Sequence, residues 1–454
     1  MKLPQSPKTH PFAQLLQWIA TPLDYLEGTQ KVYGDCFTAI FGKLPPLVML
    51  SNPQGIQQLM TADSKQFDSG RGNQIFRPLV GDNSMLLLDG DRHQRDRQLL
   101  TPPFHGERMR TYGNLICDIS DKVISKRMVG EPFFVRAAMQ EISLLAILNA
   151  VFGINQGERF EQMKGLLTSM LDSVSSPVSS SVLFFESLQQ DFGAWSPWGR
   201  FLRQQKQIDQ LIYAEIKERR SHPDSSRSDI LTLLLSATDE QGQPMTDQEL
   251  RDELLTLLIA GHETTASALT WALYWIHSLP KVHEKLLAEI DNSRVSEANL
   301  QSNNSDPIVL AKLPYLNAVC QETLRIYPVA MLTLPRIVKS PINIMGYDFE
   351  PEAIIMGCIY LTHQREDIYP EPKRFKPERF LEKQFSPYQY LPFGGSNRRC
   401  IGMAFALFEM KLALATIVDR YQLSLVEKRQ PKPVRRGVTL SPSSSFKMVF
   451  NGER

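Results

Sequence analysis

The chain has 454 residues and a formal net charge of +1, with 50 Lys and Arg against 49 Asp and Glu. That balance argues against a nucleic-acid binder working through a basic surface, and the 42% apolar share supports a sizeable buried core. The five cysteines, Cys36, Cys117, Cys320, Cys358 and Cys400, are scattered without a C-x-x-C pair, which offers no zinc site and suits a reducing compartment.

Residues 1–12 are polar and proline-bearing, with neither a signal-peptide core nor a membrane span, so no transmembrane anchor is expected. The stretches 12–18 and 23–33 predict short helices, and 36–41 and 47–50 predict strands joined through residues 42–46. Asn52 caps a short helix over 53–60. Residues 68–82 read as an irregular glycine-bearing loop that carries Ile75, Phe76 and Leu79. His93 and Arg97 lie four apart on one face of the next predicted helix. Charges at that spacing usually form a solvated face.

Apolar periodicity predicts helices over 137–151 and 158–174, followed by a serine-rich flexible break over 173–181. A long helix over 198–220 comes next. The aromatics Phe184, Phe185, Trp195 and Trp198 beside the break suit a cover over an apolar pocket, or equally a plain surface loop.

Thr246 and Glu249 form a capping box, and the periodic run they open continues to Ser278, about 50 Å at the helical rise. In its middle stands Ala260-Gly261-His262-Glu263-Thr264-Thr265. The glycine costs about 1 kcal/mol relative to alanine, and threonine is a poor helix former. A helix that accepts such weakness has a packing or functional reason. His262 lacks the second histidine of a zinc site and reads as packing or polar lining.

A polar stretch over 291–306 precedes a helix over 313–326 that carries Glu322 and Arg325. An exposed pair three apart contributes about 0.2–0.5 kcal/mol. Residues 328–336 read as extended, and 342–344, 353–356 and 439–450 as short strands. No G-x-G-x-x-G occurs, so no fused dinucleotide-binding reductase is visible.

The stretch Phe393-Gly394-Gly395-Ser396-Asn397-Arg398-Arg399-Cys400-Ile401-Gly402 leads into a proline-free helix over 403–418. A cysteine at a helix N-terminus is favoured as thiolate. Taken alone, a single cysteine is more often buried and structural. The whole stretch resembles the haem-binding loop of the cytochromes P450, Phe-x-x-Gly-x-Arg-x-Cys-x-Gly. Phe393, Arg398, Cys400 and Gly402 match, and Ser396 stands where the family usually has glycine. Ala260 to Thr265 resembles the family's oxygen-binding segment. Glu322 and Arg325, with the later Pro377-Glu378-Arg379-Phe380, resemble its structural triad. These motifs occur in family order, and the resemblance spans 37–450.

The resemblance implies a mainly α fold with small β-sheets, a single domain over 1–454, and haem b between the long helix and the Cys-bearing helix. Cys400 is then the axial thiolate, and His93, Arg97, Arg336 and Arg398 meet the propionates. Phe393, Gly402, Ala260 and Gly261 complete the cofactor contacts, the last two by letting the haem face approach. Glu263 and Thr264 relay protons, while Glu322, Arg325 and Arg379 lock the segment that carries the haem loop.

By the same resemblance, the expected pocket comprises Ile75, Phe76, Leu79, Leu86, Met170, Leu258, Leu332, Leu334 and Leu440. The implied reaction inserts one atom of O2 into a C–H bond, with electrons from an external NAD(P)H-dependent chain through ferredoxin or flavodoxin and a separate reductase. Arg95, Lys373, Arg374 and Arg399 are the expected docking cations. The substrate expected is a medium- to long-chain fatty acid, its carboxylate anchored by Arg71 or Arg77, with a terpenoid as the alternative. A haem-thiolate isomerase or peroxygenase, and a haem sensor or electron carrier, are the readings from other classes, and the Glu263–Thr264 pair speaks against them. A soluble cytoplasmic monomer, with room for peripheral membrane contact, completes the expectation.

Overall fold

The computed structural model describes residues 3–454 apart from 105–107, 176–188, 194, 225 and 298–305. Its axis is the helix Asp247–Ser278, opened by the expected capping box. Glu249 N–H donates to the Thr246 hydroxyl at 3.2 Å, and Thr246 N–H donates to the Glu249 carboxylate at 2.8 Å. Two orphan donors at the helix start are thereby satisfied. The helix is buried over most of its length and packs against the helices Val135–Phe152 and Met403–Arg420 within one large core. Val135–Phe152 has the length and apolarity of a membrane span, but 72% of it is buried inside the fold.

The principal sheet has five strands in the order Cys36–Ala39, Leu47–Leu50, Ile354–Gly357, Arg336–Val338, Phe67–Asp68. Its pairs are antiparallel except Leu47–Leu50 with Ile354–Gly357. A three-stranded sheet joins Pro132–Phe134, Lys447–Glu453 and Tyr421–Leu425. The single strand expected over 439–450 is two, Thr439–Pro442 and Lys447–Glu453, which belong to different sheets.

The loop expected over 68–82 is also corrected. It is wound into a 3-10 turn, Arg71–Phe76, and a short helix, Arg77–Val80. The cause lies far along the chain. The Asp89 carboxylate accepts the backbone N–H groups of Ser69, Gly70 and Arg71 at 2.8, 2.9 and 3.1 Å, and Asn73 donates its side-chain amide to the Leu86 carbonyl at 2.9 Å. The long helix fastens the same region through Asp252, which takes Asn83 N–H at 2.9 Å, and buried Glu253, which takes Met85 N–H at 2.6 Å.

Residues 176–181 of the expected serine-rich break, with Phe184 and Phe185, lie outside the described residues. Trp195 is exposed and stacks on Phe192. Trp198 stacks on Phe201 and packs against the core.

Candidate functional site

The turn that presents Cys400 is closed by backbone bonds: Gly394 N–H to Leu391 O at 2.9 Å, Arg399 N–H to Ser396 O at 3.2 Å and Cys400 N–H to Phe393 O at 3.0 Å. Gly394 has φ +67° and Ser396 φ +60°. A left-handed conformation costs a side-chain-bearing residue about 1–2 kcal/mol, which is the physical reason for glycine at the Ser396 position. The helix Met403–Arg420 begins at Gly402, so Cys400 lies two residues ahead of it. Gly402 N–H, Arg97 and Arg399 favour the thiolate, but burial is the larger influence and pushes the thiol up. Cys400 nevertheless keeps accessible surface inside this surround.

Facing elements bring four nitrogen-bearing side chains together. His93 is buried, and burial first, then Arg398, Arg97 and Arg336, holds its imidazole down at about 3. Arg336 is 3% exposed, and its guanidinium meets Met60 Sδ at 3.7 Å and the Phe67 ring at 5.6 Å. Neither Arg97 nor Arg336 has a carboxylate partner among the described residues. The one acid here, Asp89, accepts Arg398 Nη2 at 2.6 Å, and Arg398 also donates to the Leu88 and Met85 carbonyls at 2.5 and 3.2 Å. Arg398 is therefore already engaged by protein.

The second motif lies on the long helix Asp247–Ser278. From Leu250 to Ile276 every residue is buried except Ile259, Gly261, Glu263 and Thr264, which are half-buried, and Ala260, which is exposed. The Thr264 hydroxyl donates to Ala260 O at 2.6 Å. Such back-bonding competes with the helical ladder and bends it. Gly261 departs from expectation. A Cβ there would meet Ile147 at 3.0 Å, so its missing side chain lets the helix Val135–Phe152 approach, away from Ala260. Glu263 turns the same way, to Arg136 at 2.5 Å and Gln140 at 3.1 Å. His262 is buried, in keeping with packing.

The pocket set divides. Ile75, Leu86 and Leu334 are half-buried and belong to none of the three apolar clusters, and Phe76 is half-buried against the largest. Leu332 packs against a separate cluster beside the sheet. Leu79, Met170 and Leu258 are enclosed in the main core, and Leu440 is fully buried beside Tyr25 and Phe37. These last four offer no open surface. Arg71 and Arg77 are paired already, Arg71 with Glu352 at 2.9 Å and Arg77 with Asp82 at 2.5 Å.

Glu322, Arg325 and Arg379 meet in the core. Glu322 accepts Arg325 Nε at 2.6 Å, Arg325 Nη2 at 2.8 Å, Lys376 N–H at 2.8 Å and Arg379 Nε at 3.1 Å. Among the expected docking cations, Arg95 is held by Asp239 and Glu249, Lys373 by Glu27 and Arg374 by Glu371. Arg399 is exposed and has no acid partner among the described residues.

The family model described as Cytochrome P450 matches residues 4–450. The chain belongs to the cytochrome P450 family. A Mycobacterium tuberculosis protein named cytochrome P450 135B1 is 34% identical over 100% of this chain and 92% of its own length. Another named cytochrome P450 135A1, from the same species, is 31% identical over 97% and 93%. Two solved P450s share the fold at 22% identity each. A cyanobacterial CYP120A1 bound to retinoic acid has a TM-score of 0.81 over all of both chains, and the P450DA haem domain has 0.83 over 100% and 98%.

P450s are haem-thiolate monooxygenases that bind apolar substrates and draw on redox partners. The residues here fit haem. Cys400 is the one exposed cysteine of the five, and three arginines beside a buried histidine, with a single acid, suit a ligand bearing two carboxylates.

The sequence reading missed Asp89, Arg136, Gln140 and Glu409, because each acts through a partner distant in sequence. Glu409 is 1% exposed, shares a hydrogen bond with Ser143 and leaves Oε1 without a partner; burial pushes its carboxyl up to about 8. Below about pH 4.5 both folded and unfolded states hold this proton. Between there and pH 8 only the unfolded chain releases it, so stability falls as pH rises, by about 5 kcal/mol in all. Glu409→Gln should therefore match the parent near pH 4 and gain stability steadily towards pH 8 in thermal melts. A pH-independent difference would contradict this.

Proposed function

We propose that this P450 hydroxylates medium- to long-chain fatty acids, taking electrons from a separate ferredoxin or flavodoxin. The balance is RH + O2 + 2e⁻ + 2H⁺ giving ROH + H2O. The observation that carries the reading is the break in burial at Ala260–Thr264 along a continuous, otherwise buried helix, with the Thr264 hydroxyl bonded to the carbonyl of the exposed Ala260. Haem bound here supplies O2 activation and electron transfer, with the thiolate favouring O–O cleavage. Cys400 provides that thiolate, and Arg97, Arg336 and His93 hold the propionates. Apolar walls exclude water from the reacting carbon. Glu263 and Thr264 pass protons from solvent to the Ala260 side of the helix, with the Thr264 Oγ1 steadying the last water of the route.

Thr264→Ala should keep haem and substrate binding while diverting reducing equivalents into peroxide or extra water. Its readout is product formed per NAD(P)H consumed, and full coupling in the variant would remove the relay.

The half-buried Ile75, Leu86 and Leu334 support the substrate class, since each methylene buried there contributes about 0.8 kcal/mol. Glu352 and Asp82 are exposed partners, worth little to Arg71 and Arg77, so a substrate carboxylate can displace them. Arg71→Ala or Arg77→Ala should weaken binding of hexadecanoic acid several-fold more than that of hexadecanol, measured by the haem spin shift. The fact that both arginines are already paired favours the second reading, a neutral terpenoid. Equal effects on acid and alcohol would move it ahead.

A further inference from the structure

We infer that Arg136 and Gln140, on the helix Val135–Phe152, are positioning residues for Glu263 and mark the side of the protein from which protons arrive. The inference rests on the reading of Glu263 as a proton relay and deepens it. The three side chains form a closed ring. Arg136 Nη2 donates to Glu263 Oε1 at 2.5 Å, Arg136 Nη1 to Gln140 Oε1 at 3.1 Å, and Gln140 Nε2 to Glu263 Oε2 at 3.1 Å. Both carboxylate oxygens are therefore held, and the Gln140 amide is fixed by a cation on one side and an anion on the other. The side chains of Arg136 and Glu263 are 9% and 16% exposed, so the pair is shielded from bulk water.

Two observations point to a water path at this cluster rather than a sealed structural pair. Arg136 Nε and, on the adjacent residue of the long helix, His262 Nδ1 are buried without a protein partner. Buried polar atoms of that kind are as a rule met by ordered water. Arg136 also stands at the second position of its helix, directly after the strand Pro132–Phe134, where Glu131, Pro132 and Phe134 are exposed. Bulk solvent is thus a short step from the ring. Glu263 Oε takes a proton from water on the Arg136 side and gives one up towards Thr264, so the carboxylate ends each cycle unchanged. The ring sets where the carboxylate waits and how readily it turns.

The test uses haem-loaded enzyme without substrate, with electrons from NADPH through a ferredoxin and its reductase. Reduction of O2 to peroxide consumes two electrons and two protons, and reduction to water consumes four of each. The share of electrons recovered as water, and its solvent deuterium isotope effect, therefore report proton delivery. Arg136→Met and Gln140→Leu are each expected to lower that share several-fold and to change the isotope effect. Arg136→Lys should restore most of the loss, and neither Arg136→Met nor Gln140→Leu should add to the effect of Glu263→Gln. A purely structural role would move haem content and melting temperature but not the isotope effect. If Arg136→Met retains no haem, Gln140→Leu, which removes no charge, decides the matter. Parental values in the ring variants, or effects additive with Glu263→Gln, would overturn the inference while the relay stands. A Glu263→Gln enzyme indistinguishable from the parent would overturn the relay itself, and this inference with it.

Discussion

Cys400→Ala is expected to abolish the red-shifted Soret band of the reduced, carbon-monoxide-treated protein and all oxygenation, while leaving a folded chain. The Cys400 side chain has accessible surface and belongs to none of the three apolar clusters, so its truncation leaves little cavity. The turn that carries it is closed by backbone bonds of Leu391, Phe393 and Ser396, none of which uses the sulfur. The loss is therefore chemical rather than structural. Far-ultraviolet circular dichroism of the variant should match the parent, and the band should be absent. A persistent band would remove Cys400 as the ligand.

Glu322→Ala and Arg325→Ala should fail in the opposite way. Both side chains are fully buried, and Glu322 gathers two guanidinium groups and the Lys376 N–H. Glu322→Ala leaves two guanidinium groups uncompensated in the core, and Arg325→Ala strips Glu322 of its two-pronged partner, at a cost of about 3–5 kcal/mol, against a total stability of about 5–15 kcal/mol for a folded protein. Arg325 also donates to the His363 carbonyl at 2.8 Å and lies over the Tyr369 ring, so its loss loosens the segment leading to the Cys400 turn. Little soluble, haem-loaded protein should be recovered from either variant. Arg379→Ala should be milder, since it removes a single 3.1 Å bond to Glu322 together with backbone contacts. Parental yield and haem content for Glu322→Ala would show that the buried cluster does not carry the fold.

Part of this protein was determined by its sequence alone. The capping box at Thr246 and Glu249, the long periodic run to Ser278 and the helix after Cys400 depend on neighbours three or four residues away, and such local patterns survive into the fold. The Phe393–Gly402 turn was equally readable, and the left-handed backbone at Ser396, φ +60°, shows why glycine is usual at the one position where it departs from the family pattern. Direction was not readable. Gly261 and Ala260 are adjacent and look equivalent as small residues, yet one admits Ile147 and the other is exposed, because successive residues point about 100° apart on a helix and only packing decides which face is covered. Tertiary structure also decided which apolar residues keep open surface, placing Leu440 in a closed cluster and leaving Leu334 half-buried. The partners of charged groups were decided there as well: Asp89 with Arg398, Glu263 with Arg136, and the pairing of Arg71 and Arg77. A charge shows its type in the sequence, but whether it is solvated, buried or matched depends on contacts made across hundreds of residues, and burial sets the strength of those contacts.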